Sequence, residues 1–286
     1  MKYLVTGATG ELGAYAISYL QKIVPLNEIV ALARTEEKAM KLRQQEVEVR
    51  IGDFDNYPSL VEAFKGIDRL LFISSQPGGA VTREQQHQHV VEAAKQAGIS
   101  FIAYTSFPKG TDSNSPLAQD HIITEKLIRQ SEISHSFLRN NWYIENEADT
   151  LNAAVAGLPF SYSAGQGKVG WALKREFAEA AVNVLTDKVK YQEVFELSGA
   201  PITYEELALA LKVASQKEFK VILMDDHEYQ QVLIANNVPE EAVGFILMIQ
   251  NDIRTGQLDV TSDDFEQVLG KPLTPLIDAL KEFLGK

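Results

Sequence analysis

The sequence predicts an α/β chain: a doubly wound parallel sheet with a smaller, mainly helical C-terminal region. Three observations carry this. Short β-branched runs alternate with helical patterns over the first two-thirds of the 286 residues. A glycine-rich turn joins the first run to the first helical pattern. After Gly199-Ala200-Pro201 the pattern becomes mainly helical. Strands and helices alternating at this spacing imply right-handed βαβ units and a parallel sheet covered on both faces.

The elements follow in order. Tyr3-Leu4-Val5 is the first strand, and Leu12, Ala16, Leu20 and Ile23 fall on one face of the helix after it. Ile29–Ala33 is a second strand and Val47–Ile51 a third. Arg69–Ile73 is a fourth, so uniformly apolar after its first residue that both its faces should be buried. Phe101–Thr105 is a fifth. Helical patterns run from Ser59 to Phe64 and from Thr82 to Ala97, the latter ended by Gly98. From about Asn152 the rhythm loosens. Ser161 to Gly170, rich in Gly and Ser, reads as a loop; Glu176–Leu185 is a helix and Glu193–Leu197 one more strand. Thr203-Tyr204-Glu205-Glu206 fits a capping box opening a helix. Phe245–Ile249 is apolar on too many sides for an exposed helix. The expected division is a sheet domain over 1–150, with 176–199 returning to it, and a smaller helical region over 200–286. There is no internal repeat and no low-complexity segment.

Composition narrows the function classes. The chain is 45% hydrophobic and 23% charged, an ordinary globular balance. No apolar run approaches the roughly 18 residues that a bilayer span needs, so no membrane partner is expected. Met1-Lys2 leads directly into Tyr3-Leu4-Val5, too short for a signal peptide's apolar region, and a cytoplasmic location is the expectation. With no cysteine, disulfides, thiolate metal sites and thiol catalysis are excluded. A formal net charge of −12, with no Lys/Arg cluster interleaved with aromatics, argues against a nucleic-acid partner. A homodimer is left open.

Gly7-Ala8-Thr9-Gly10-Glu11-Leu12-Gly13 sits directly after a strand and opens a helix. Gly7, Gly10 and Gly13 serve a tight turn, close approach of backbone to a pyrophosphate, and close packing of helix on sheet. The free N–H groups and dipole of the helix N-terminus favour the phosphates. Three glycines alone are a weak signal, but here they occupy the first βα turn of a βαβαβ chain. This makes the domain Rossmann-type and assigns Gly7, Thr9, Gly10, Glu11 and Leu12 to a nicotinamide dinucleotide. The second strand ends at Ala33-Arg34, with Lys38 one turn further on. A carboxylate there would favour NAD(H); Arg34 can instead clamp a 2′-phosphate in a charge-assisted fork, so NADP(H) is preferred. Asp53 after the third strand either reaches the adenine amino group or caps the helix beginning near Pro58. Ser74 and Ser75, at the carboxyl end of the fourth strand, either touch the nicotinamide-side ribose or satisfy backbone groups in a turn.

Further motifs carry a resemblance. The glycine loop, Ala103-Tyr104-Thr105-Ser106, Thr124-Glu125-Lys126, and Leu138-Arg139-Asn140-Asn141-Trp142-Tyr143-Ile144-Glu145-Asn146 are similar to those of the atypical short-chain dehydrogenases. So is Thr261-Ser262-Asp263-Asp264-Phe265 leading to Lys271-Pro272-Leu273-Thr274-Pro275. Together they resemble the NmrA-like family, and within it the branch of bacterial type 2 NAD(P)H:quinone oxidoreductases and triphenylmethane reductases. The resemblance runs over nearly the whole chain, and the Leu138–Asn146 and C-terminal stretches are its most selective parts. It implies that the nicotinamide lies near Tyr104, Thr105 and Ser106, near Lys126, and near Asn140 to Tyr143, with Leu138, Arg139, Asn140 and Asn141 among the cofactor-binding residues. It also implies that the C-terminal region covers the substrate side.

Most short-chain dehydrogenases place a proton-donating tyrosine four residues before the lysine. Here that position is Ile122, and His121 beside it is turned about 100° away on a helix. The chain therefore departs from the alcohol–ketone dehydrogenase and sugar-nucleotide epimerase patterns. Quinone reduction tolerates the loss, because hydride delivery gives a delocalised, weakly basic hydroquinone anion. What is needed is stacking of a flat acceptor on the nicotinamide and stabilisation of developing negative charge. Phe107, Trp142 and Tyr143, with Tyr104, are candidates for the first task, though Trp142 and Tyr143 serve equally well as core. Lys126 and the Tyr104 hydroxyl are candidates for the second. The expectation is an NAD(P)H-dependent reductase of quinone-like small molecules by direct hydride transfer, without flavin or metal. A non-catalytic dinucleotide-sensing regulator is the alternative, and a nucleotide-sugar epimerase a weaker one. His87 and His89, two apart on a helix, cannot share a metal. His135 and His227 have no patterned partners, and Asp225-Asp226 and Asp263-Asp264 read as helix starts.

Overall fold

Seven parallel strands form the centre of the molecule. The structure is a computed structural model that describes residues 1–44, 46–76 and 81–285. In chain order its strands are β1 (Tyr3–Val5), β2 (Ile29–Ala33), β3 (Glu48–Ile51), β4 (Arg69–Phe72), β5 (Phe101–Ser106), β6 (Ser134–Asn140), β7 (Phe160–Tyr162), β8 (Lys168–Val169), β9 (Val194–Leu197), β10 (Ile202–Thr203) and β11 (Val221–Leu223). The helices are α1 (Glu11–Leu20), α2 (Glu36–Arg43), α3 (Tyr57–Ala63), α4 (Arg83–Ala97), α5 (Pro116–Ser131), α6 (Ala148–Val155), α7 (Lys174–Leu185), α8 (Tyr204–Ser215), α9 (Asp226–Ala235), α10 (Glu240–Arg254), α11 (Asp264–Leu269) and α12 (Leu276–Phe283).

The sheet order is β3-β2-β1-β4-β5-β6-β9, and every pairing in it is parallel. The order reverses between β1 and β4, which opens a crevice at the carboxyl ends of the strands where α/β sheets bind ligands. β4 is buried at every residue, as its apolar run requires. Leu4, Val30, Leu70, Ile102 and Phe137 pack on one face of the sheet beneath α3, α4 and α5. Val5, Ala31, Leu71, Ala103 and Leu138 pack on the other with α1 and α7.

A second core lies beyond the sheet. Leu151, Phe160, Tyr162, Val169 and Trp171 pack there with Tyr204, Leu207, Leu211, Ile253 and Leu280. The segment 161–170, read above as a loop, contributes most of β7 and all of β8. β7 pairs with β11 and β8 with β10. Strands of two and three residues carry too little periodicity to be read from sequence. Thr203 does open α8 with a capping box closed by Glu206. Phe265, Val268 and Leu269 of α11 return to the α1–α7 side of the main sheet. Among the described residues no helix is long and apolar enough to cross a membrane.

Candidate functional site

The crevice at the switch point is a cleft of about 450 Å³, and the glycine loop forms its floor. Gly7 holds φ +59°, a left-handed conformation in which a side chain would be strained. The Gly10 amide donates to the Gly7 carbonyl at 2.9 Å and closes the turn. A Cβ on Gly13 would come within 2.3 Å of the Gly7 oxygen and 2.7 Å of the Ala8 Cα, so α1 packs on the loop only because the position is glycine. Gly10 is the N-cap of α1 and caps it with no side chain. The first amides of α1 are therefore left to the cleft, the arrangement that receives phosphate.

Arg34 and Lys38 line the end of the cleft next to β2 and β3, with Gly52 and Phe54 beside them. Arg34 is more than half exposed and stands 3.7 Å from Asp53 Oδ1. Asp53 does not cap the following helix: Asn56 does, accepting from the Ser59 amide, while Asp53 Oδ1 accepts from the Asp55 amide. Ser74, Ser75 and Thr105 line the middle of the cleft. Thr105 Oγ1 accepts from the Ser74 amide at 3.0 Å. The Ser75 amide donates to His87 Nε2 at 3.1 Å. His87 Nδ1 lies 2.7 Å from Thr124 Oγ1, whose own hydrogen goes to the Asp120 carbonyl, so His87 carries its proton on Nδ1 and accepts on Nε2. Burial, then the Arg83 charge, holds its pKa down at about 3, and the ring stays neutral.

The far end of the cleft is lined by Tyr143, Asn146 and Lys174. A backbone bridge pairs Tyr143 with Ala172, which sets the segment after β6 against the start of α7. Lys174 Nζ pairs with Glu11 Oε2 at 2.5 Å and lies 5.6 Å from the centre of the Tyr143 ring. The Glu145 carboxylate accepts from the Lys174 amide and caps α7. Tyr143 Oη accepts from Asn140 Nδ2 at 3.0 Å. Burial pushes the Tyr143 phenol up to about 12.

The structure thus brings Gly7, Thr9, Gly10, Glu11, Leu12, Arg34, Ser74, Ser75, Thr105 and Tyr143 into one cleft. It places the other expected residues elsewhere. Lys126 is exposed on α5, away from the cleft lining. Tyr104 is fully buried, its Oη 2.9 Å from His121 Nδ1. Ser106 donates to Glu125, which holds Arg139 through two bonds of 2.9 Å, and Arg139 also reaches Glu196. Leu138 is core, and Asn141 is buried against Ser198 and the Leu258 carbonyl. Phe107 belongs to the second core. Trp142 is half-buried, with its indole N–H on Glu147. Phe54, Gln76, Asn146 and Lys174 line the cleft without having been expected there. Lys174 lies just ahead of the helix expected from Glu176, and only in the structure is it the first residue of α7, where it pairs with Glu11. Among the described residues no group of three or more His, Asp or Glu could hold a metal ion.

The model of the NmrA-like family matches residues 1–272. The chain belongs to the NmrA-like family. It is 35% identical over 282 residues to quinone oxidoreductase 2 of Escherichia coli strain K12, with 98% of each chain covered. Triphenylmethane reductase of Citrobacter sp., solved in complex with NADP(H), superposes with a TM-score of 0.92 at 35% identity, covering 99% of this chain and all of that one. The NADPH-dependent quinone oxidoreductase of Escherichia coli, solved with NADPH, gives a TM-score of 0.91 at 34% identity, with 99% of each chain covered.

Proposed function

We propose that this protein is an NADPH-dependent reductase of quinones or similarly flat electrophiles, acting by direct hydride transfer. The observation that carries the reading is the cleft itself. One continuous crevice has phosphate-receiving amides at its centre, two cations at the β2 end, and an aromatic, cationic end beside β5 and β6. The residues present fit a dinucleotide laid across the switch point. Arg34 and Lys38 would take the 2′-phosphate, the amides of α1 the pyrophosphate, and Ser74, Ser75 and Thr105 the nicotinamide-side ribose. A bound reduced nicotinamide supplies the hydride. The acceptor then sits between the dinucleotide and Tyr143, Asn146 and Lys174, with the second core closing that side. The relatives' names, quinone and triphenylmethane reductases that bind NADP(H), support the same chemistry for this chain.

The absence of a tyrosine at Ile122 suits this reaction. A hydroquinone anion needs less general-acid help than the alkoxide of a ketone reduction, and Ile122 packs with the second core instead of facing a reacting atom. In this reading residues 1–150 with 176–199 hold the cofactor, and the region 200–286 covers the acceptor. The protein would act as a soluble enzyme on small molecules. The experiment is anaerobic mixing of flavin-free protein with NADPH and a panel of quinones. Consumption of NADPH well above the protein-free rate supports the reading. Tight NADPH binding with no consumption by any acceptor would instead favour a dinucleotide-sensing regulator.

A further inference from the structure

The usual donor position on α5 is occupied by Ile122, and Lys126 faces solvent, yet the cleft contains a tyrosine and a lysine side by side from other elements. We propose that Tyr143 is the hydrogen-bond and proton donor to the acceptor oxygen, with Lys174 and Asn140 setting its orientation. This rests on the reductase reading above and adds to it the source of the proton.

Geometry supports the assignment. Tyr143 and Lys174 line the same end of the cleft, next to Thr105 at the end of β5. Their proximity is built into the backbone. The Ile144 amide donates to the Ala172 carbonyl at 3.0 Å and the Ala172 amide to the Trp142 carbonyl at 3.3 Å, so Lys174 follows two residues after the bridged position. The Tyr143 ring is held edge-on by Phe177 at 4.9 Å. Its oxygen accepts from Asn140 Nδ2, and among the described residues no acceptor takes the phenolic hydrogen. That hydrogen is left for a group in the cleft. Asn140 Oδ1 is buried with no partner among the described residues, and the bond from Nδ2 to Tyr143 is the side-chain bond that holds this amide. Burial and Glu145 oppose negative charge on the phenol oxygen, while the Asn140 N–H favours it, and the Lys174 cation stands 5.6 Å from the ring centre.

The step balances. Hydride transfer moves two electrons from the dinucleotide to the quinone and leaves a hydroquinone monoanion. Tyr143 passes its phenolic proton to the anionic oxygen, giving the hydroquinone. The phenolate, held by the Asn140 N–H, recovers a proton from water in the cleft. Before transfer is complete the phenol acts as an oxyanion donor, the kind of group whose removal typically costs about 100-fold in turnover.

The test is Tyr143→Phe, which removes one oxygen and leaves the ring packing on Phe177. Turnover of a quinone should fall by about 100-fold. NADPH affinity, measured by calorimetry, should stay within about twofold, because the hydroxyl addresses the acceptor. Hydroquinone affinity for the NADP⁺ complex should fall by about tenfold, the loss of one hydrogen bond. Unchanged turnover in the variant would overturn the proposal, as would a loss that appears wholly as weaker NADPH binding. A wild-type protein that oxidises no NADPH would overturn the reductase reading itself, a result that needs no variant to recognise.

Discussion

Two side chains decide much of this molecule's behaviour, and each makes a prediction. Arg34 lines the cleft at the end of β2, and among the described residues only a 3.7 Å approach to Asp53 holds it, so its guanidinium is available to an incoming anion. Arg34→Ala should weaken NADPH binding by roughly tenfold or more, the worth of a charge-assisted hydrogen bond, and leave NADH binding nearly unchanged. Fluorescence titration with both dinucleotides checks it. Glu147 is the second. Its carboxyl is buried beneath Trp142 Nε1 at 3.0 Å and Tyr204 Oη at 2.9 Å, both donating to Oε1. Burial raises its pKa from 4.5 to about 7. The folded state therefore keeps a proton that the unfolded chain has released, and stability is lost as pH rises through the folded value. Glu147→Gln keeps an acceptor for both donors and removes the ionisation. Urea unfolding should show the variant more stable than wild type at about pH 8, by up to ~3 kcal/mol, and nearly equal to it at about pH 4. The place of Arg34 in the cleft was legible because it stands at the end of the strand next to the glycine loop. Glu147 was not, because a lone Glu in Asn146-Glu147-Ala148 looks like any solvated residue until Tyr204, far along the chain, is folded onto it.

At the scale of elements, the first βα unit and the loop after β4 shape the cleft. Gly13→Ala would place a Cβ against the Gly7 carbonyl and the Ala8 backbone, neither of which can give as a flexible side chain does. The variant should lose dinucleotide affinity by about tenfold or more and melt at a lower temperature, checked by calorimetry and thermal unfolding. The loop carrying Ser74 and Ser75 is held from behind by neutral His87. His87→Leu leaves the Ser75 amide without its acceptor, at a cost of about 1–3 kcal/mol in urea unfolding, with weaker NADPH binding alongside. Strands β1 to β5 and the helices between them were legible because apolar alternation and glycine stops announce them locally. Ser134–Asn140 was not legible as a strand: Ser134, Ser136, Arg139 and Asn140 interrupt its apolar residues, and its pairing with β5 and β9 overrides that pattern. The same tertiary override turned part of the Gly- and Ser-rich segment 161–170 into β7 and β8.

Over the whole molecule, the first βα units position one end of the site, and the segment after β6 and the head of α7, packed on the α1–α7 side of the sheet, position the other. The dinucleotide half of the cleft follows from local motifs in a known topology, so Gly7, Thr9, Gly10, Arg34, Ser74, Ser75 and Thr105 could be picked out in the chain. The half proposed for the acceptor is made by segments that meet only on folding: Tyr143 after β6, Asn146 beyond it, and Lys174 at the head of α7. Lys126 was expected from a helix motif and Tyr104 from the motif at the end of the fifth strand, both through the family resemblance. Lys126 lies on the surface and Tyr104 is buried on the interior strand β5, bonded to His121. The central claim is that hydride passes directly from NADPH to a flat acceptor in this cleft. Anaerobic single-turnover reduction of a quinone by flavin-free protein, using NADPH deuterated on one face of C4 at a time, measures it. The account predicts a primary isotope effect and loss of label for one face only. NADPH that binds and keeps both labels in the presence of every quinone tried would contradict it.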